Sequence, residues 1–149
     1  MTTSPEETAR RSAEAMWAGD AASQALGMRI VEVAPGSATL EMPVREDMVN
    51  GHGIGHGGFT FSLADSAFAF ACNSYNRRTV AHTCEITYLA PTRLGDLLVA
   101  EARERERDGR DGVYDVVVRN AGGIVAKFVG RSKEIRGSLF EEGRPPTAG

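Results

Sequence analysis

The spacing of apolar positions changes three times along the 149-residue chain, and each change marks a different kind of element. Ser4-Pro5-Glu6-Glu7 reads as a helix start: a capping serine, a proline at the first helical position and a glutamate that completes a capping box. Ala13, Met16 and Trp17 then recur at helical spacing, and Gly19 can end the helix. Asp20 can cap a second short helix that Gly27 closes. From Met28 the period shortens. Ile30, Val31 and Val33 are β-rich, Pro35-Gly36 marks a turn, and Ala38, Leu40, Met42 and Val44 alternate with polar residues, so a hairpin is expected.

The next run, GFTFSLADSAFAFACN over 58–73, is apolar on nearly every side, rich in alanine and almost free of β-branched residues. That composition predicts a buried helix of roughly 24 Å. Four strand candidates follow: Val80–Leu89, Asp96–Glu106, Val113–Arg119 and Ile124–Ile135. Pro91 and Gly95 break the first pair. Asp108-Gly109 with Asp111-Gly112 turns the second, and Ala121-Gly122-Gly123 the third. Such short connections suit antiparallel neighbours, so a meander of long strands is expected after the helix. The predicted class is α+β: one antiparallel sheet of five to six strands around one long helix. Residues 1–27 form a helical segment, 28–136 the main domain and 137–149, with Pro145-Pro146, a flexible tail.

Composition narrows the function classes. The net charge of −3 and the lack of a basic, aromatic-interleaved patch argue against nucleic-acid binding. Cys72 and Cys84 have no CxxC or metal-ligand spacing. Glu6, Glu7, Arg10 and Arg11 leave no apolar run for a signal peptide, and no stretch is long enough for a membrane helix. A cytoplasmic, reduced protein is expected.

The chemistry gathers in NGHGIGHGGFTFSLAD, residues 50–65. Five glycines fall between Gly51 and Gly58, with His52 and His56 among them. Gly53-Ile54-Gly55-His56-Gly57-Gly58 matches GxGxxG, but no parallel-sheet pattern or acidic residue follows where a dinucleotide site needs it. There is no P-loop and no HExxH, and no metal site is expected; His82, in a strand, reads as structural. Free N–H groups at Gly57 and Gly58, where the buried helix begins, make a natural oxyanion hole. Asp65, two turns along, has Phe61, Ser62, Phe68 and Ala69 as helical neighbours and no basic partner. It reads either as a base or nucleophile with a raised pKa, or as part of an exposed stripe with Ser62 and Ser66.

This combination resembles the hotdog-fold acyl-CoA thioesterases, and more closely the PaaI type of phenylacetate degradation. Asn50-Gly51-His52, His56-Gly57-Gly58, Phe61-Ser62-Leu63-Ala64-Asp65, Ala67-Phe68-Ala69, Ala71-Cys72-Asn73-Ser74, Gly112-Val113-Tyr114-Asp115 and Gly130-Arg131-Ser132-Lys133 carry the resemblance, which runs from about Met16 to about Gly137. It implies a hotdog fold, dimers with a continuous sheet that pair into tetramers, and active sites between subunits. It further implies Asp65 as general base or nucleophile, Gly57 as the carbonyl donor, His56 and Asn50 as orienting groups and Thr83 as the hydroxyl that holds water. Gly58 would contact substrate, and Phe61 and Phe68 would either accept an aryl group or, equally well, belong to the core. Arg77, Arg78, Arg93, Arg131 and Lys133 are candidate phosphate partners, each as readily a solvated charge.

The implied activity is hydrolysis of phenylacetyl-CoA and ring-hydroxylated phenylacetyl-CoA, with no cofactor beyond the coenzyme A of the substrate. A non-catalytic acyl-CoA-binding module on the same fold is the alternative. A hydratase is disfavoured, because the helix offers Asp65 without a histidine beside it.

Overall fold

The computed structural model describes residues 3–142. Helix α1 spans Pro5–Ala18 and α2 spans Ala21–Ala25. Ser4 Oγ accepts the Glu7 N–H at 3.1 Å and Asp20 Oδ1 accepts the Ser23 N–H at 3.0 Å, so both expected caps form. The Glu7 carboxylate turns to Arg10 instead of closing the box. Strands β1 (Arg29–Ala34) and β2 (Ser37–Pro43) make the hairpin, turning at Gly36, whose φ of 73° suits glycine. Helix α3, Gly57–Cys72, follows, then β3 (Thr79–Tyr88), β4 (Leu97–Asp108), β5 (Asp111–Asn120) and β6 (Gly123–Glu134). The β4–β5 turn is tighter than expected: Asp111 and Gly112 already belong to the ladder, leaving Gly109 and Arg110 to reverse the chain.

The six strands form one antiparallel sheet in the order β1-β2-β4-β5-β6-β3. This is the expected hotdog architecture with one correction. β3 does not pair with β4; it lies at the far edge beside β6, while β4 pairs with β2 through seven registered positions from Ser37–Arg103 to Pro43–Leu97. Connection length does not force adjacency here. Three strand spacings are roughly 14 Å, and the eight residues between β3 and β4 can span roughly 26 Å. The gap is filled later by the β4–β5–β6 meander.

α3 packs on the inner face of the sheet. Leu63, Ala64, Ala67, Phe68 and Ala71 are buried against Leu40, Met42, Leu98, Ala100, Val116 and Phe128. Alanine on the helix permits close approach to the strands, and Phe68 fills the space over Gly130, where an added Cβ would meet its ring at 2.7 Å. α3 is held at both ends. Asn73 bonds the Ala69 and Thr79 carbonyls and accepts the Thr79 N–H, which ties the helix end to the start of β3.

Of the tail expected from Gly137, the Leu139 and Phe140 N–H groups donate to Asn76 Oδ1 at 3.0 Å. Residues 143–149, with Pro145-Pro146, lie outside the described residues. No helix among the described residues is long and apolar enough to cross a membrane.

Candidate active site

The glycine loop is folded by its own side chains. Asn50 Oδ1 accepts the His52 and Ile54 N–H groups at 2.9 and 3.2 Å. Gly53 adopts φ 75° inside this turn. The loop then docks on the β3–β4 connection: the Gly55 N–H donates to the Thr92 carbonyl at 2.8 Å, and Ile54 bridges Arg93. A Cβ on Gly55 would lie 1.8 Å from Thr92 Oγ1. Glycine is required there by close approach.

His56 is the N-cap of α3, and its Nδ1 accepts the Gly58 N–H at 3.2 Å. That bond occupies the Gly58 donor, so Gly58 does not offer a second N–H to a ligand. The Gly57 N–H, first in the helix, has no acceptor among the described residues. It is the free donor at the positive end of the helix. The Tyr88 hydroxyl donates to the Gly57 carbonyl at 3.0 Å, and a Cβ on Gly57 would meet the Tyr88 ring at 3.0 Å. Tyr88 escaped the sequence reading because nothing in a β-rich run distinguishes a tyrosine that touches a helix start. A cavity of about 390 Å³ opens beside these groups, lined by Gly55, Gly57, Thr60, Tyr88, Leu89 and Val125 among others.

Asp65 is half-buried on α3, in a stripe with Ser62, Ser66 and Ala69. The stripe is half-buried rather than exposed, and Asp65 within it has no basic partner among the described residues. Ser62 is satisfied by the Gly58 carbonyl and Ser66 by Ser23. Burial pushes the Asp65 carboxyl above the ordinary carboxylate range, and a hydrogen bond from Cys84 Sγ, at 3.9 Å, opposes it. Cys84 belongs to β3, the second position that sequence reasoning passed over.

Gly57 and Asp65 stand eight residues apart on one helix, a rise of roughly 12 Å.

The other expected site residues divide. Thr83 is exposed, and strand alternation turns it away from the face that carries Cys84 toward Asp65. Phe68 is 1% exposed, packed on Tyr114 and Phe128, and Phe61 packs edge-on to Phe128. The expectation that Phe68 contacts substrate is corrected: a ring that fills the space over Gly130 has no free face. Of the basic residues, Arg77 pairs with Glu134 and Lys133 with Asp111, so surface pairing accounts for both. Among the described residues no three His, Cys, Asp or Glu side chains gather as a metal site.

Comparison with known proteins adds to this geometry. The model of the Thioesterase superfamily matches residues 52–127, from the glycine loop into β6. The Escherichia coli acyl-coenzyme A thioesterase PaaI is 43% identical over 133 residues, covering 89% of this chain and 95% of its own. The solved structure of the E. coli PaaI protein from the phenylacetic acid degradation operon superposes with a TM-score of 0.88 over 91% of this chain and 99% of that one. A Streptococcus mutans protein solved with acetyl CoA is 27% identical, with a TM-score of 0.70 over 74% of this chain and 90% of its own.

Proposed function

The chain belongs to the thioesterase superfamily, as a hotdog-fold acyl-CoA thioesterase of the PaaI type, and from this premise we propose that its substrates are phenylacetyl-CoA and ring-hydroxylated phenylacetyl-CoA. The observation that carries the reading is the pairing of an unneutralised, half-buried Asp65 with a free Gly57 N–H on the same helix. Acyl transfer needs both: a group that delivers or activates a nucleophile, and a donor where the oxyanion develops.

In the base route Asp65 takes a proton from water as the water oxygen attacks the thioester carbon. The oxyanion is held by the Gly57 N–H. The C–S bond then breaks, and the proton passes to the departing thiolate, releasing free acid and coenzyme A. In the nucleophile route the carboxylate attacks first and water cleaves the resulting anhydride. Both routes use the same residues and need no cofactor. His56 fixes the first helical turn, and Asn50 shapes the loop that leads to it. The cavity beside Gly57 and Tyr88, about 390 Å³, has room for an aryl group.

The working unit is a dimer in which the Gly57 of one subunit meets the Asp65 of the other, two dimers pairing into a tetramer. The 12 Å rise that separates these residues in one chain supports this, as does the open edge of β3, where Val80, Tyr88 and Leu89 are exposed. The free Cys72 and Cys84 suit the reducing cytoplasm, where we place the reaction.

The deciding experiment is free-thiol detection with phenylacetyl-CoA. Wild type releases thiol, and Asp65→Asn binds substrate but releases none. Unchanged turnover in that variant sinks the reading. Binding without release by the wild type favours the acyl-CoA-binding module instead.

A further inference from the structure

β3 runs antiparallel to α3 and touches it at two polar points. Cys84 meets Asp65, and Tyr88 meets Gly57. Four strand residues rise roughly 13 Å and eight helical residues roughly 12 Å, so the spacings match. Between them Ile86, on the same face as Cys84 and Tyr88, packs on the core.

We propose that Cys84 is a positioning residue: its thiol donates to Asp65 Oδ1, orients the carboxylate and leaves the second oxygen free for the reaction. The inference rests on the thioesterase reading. The Cys84 bond is the one hydrogen bond to Asp65 among the described residues. The titratable groups packed on or near α3 are His56 and Tyr88 at its start, Cys72 on the helix itself, Cys84 on β3, Tyr114 on β5 and, behind the Ser23–Ser66 pair, Asp20. Among the described residues only Cys84 bonds to the Asp65 side chain, and no Lys, Arg or His acts on it.

The thiol suits a donor better than a nucleophile. Burial and the neighbouring carboxylate push Cys84 up to about 11, so it stays protonated through the neutral range. A thiol is reactive as the thiolate, which is scarce there. The sign of its effect is set by which form it bonds: a donor to the carboxylate favours the ionised form and opposes the burial that raises Asp65.

The test has two readouts. Carbon-13 carboxyl titration of Asp65, assigned by the signal lost in Asp65→Asn, is followed in wild type, Cys84→Ala and Cys84→Ser. The pH profile of kcat/KM for phenylacetyl-CoA is recorded on the same proteins. In Cys84→Ala the titration and the acid limb both move to higher pH. On the acid side kcat/KM falls about two- to five-fold, the factor for one weak S–H···O bond, and the loss narrows as pH rises. Cys84→Ser restores a donor and holds the limb at the wild-type position or below. An unmoved titration in Cys84→Ala overturns the proposal. So does a loss that is uniform across pH in both variants, which would mark a covalent or purely structural role. If the wild type cleaves no thioester, the functional reading fails, yet the carboxyl titration still decides the role of Cys84.

Discussion

At Asp65, function and stability pull in opposite directions. Its folded-state pKa is raised above the unfolded value by burial, so the folded protein binds that proton more tightly. The contribution to stability is therefore full below the unfolded pKa and is lost as pH rises through the folded one. Asp65→Asn should accordingly melt at or above the wild-type Tm at neutral pH, and the difference should vanish in acid; calorimetry at two pH values checks this. On the proposed function catalysis has the reverse sign: the ionised form would work, and turnover should rise with pH through the same titration. Tyr88 makes a second prediction at this scale. Tyr88→Phe keeps the ring under Gly57 but removes the bond to its carbonyl. A fall in kcat for thioester cleavage with little change in the urea midpoint is expected, because the half-exposed hydroxyl contributes little to folding while it fixes the turn that carries the free N–H.

Among the elements, α3 was the most legible because nine of its sixteen residues are alanine, phenylalanine or leucine, which leaves few alternatives. What propensity could not express is that its packing is fixed by one glycine on another element. Gly130 lies on β6 under Phe68, and an added Cβ would meet that ring at 2.7 Å. Gly130→Ala should destabilise by about 1–3 kcal/mol, read as a lower urea midpoint at unchanged m. Asn73→Ala should cost a similar amount, about 1–3 kcal/mol, because it strands the buried link between α3 and β3. The order of the strands was less legible. Pro91 and Gly95 look like any hairpin break, and local signals do not record that eight residues carry the chain past two strand positions.

For the whole molecule, the decisive quantity is the separation of Gly57 from Asp65. A site shared between subunits predicts complementation. Gly57→Ala, whose Cβ would meet the Tyr88 ring at 3.0 Å and shift the N–H, and Asp65→Asn should each be inactive alone. Unfolded together and refolded as a mixture, they should recover about a quarter of wild-type activity, since half of random dimers are mixed and each holds one intact site. Zero recovery from mixed dimers shown to form would place both groups in one chain's site. Sedimentation should find no monomer at micromolar concentration, and a charge at Val80, exposed on the edge strand, should release one.

The sequence by itself determined the elements, the class of fold and the segment proposed to carry the chemistry. Those properties are local: periodicity, glycine content and one carboxylate among apolar neighbours are written in consecutive residues. Only the tertiary structure decided that Phe68 is core, that the Gly58 N–H is already taken by His56, and that Cys84 and Tyr88 are the partners of Asp65 and Gly57. These depend largely on contacts between residues far apart in the chain, Tyr88 with Gly57 and Phe68 with Phe128 among them. No local pattern distinguishes such a contact from an ordinary strand residue, because the same alternation places every second side chain on the inner face, and only the packed helix selects which of them matter.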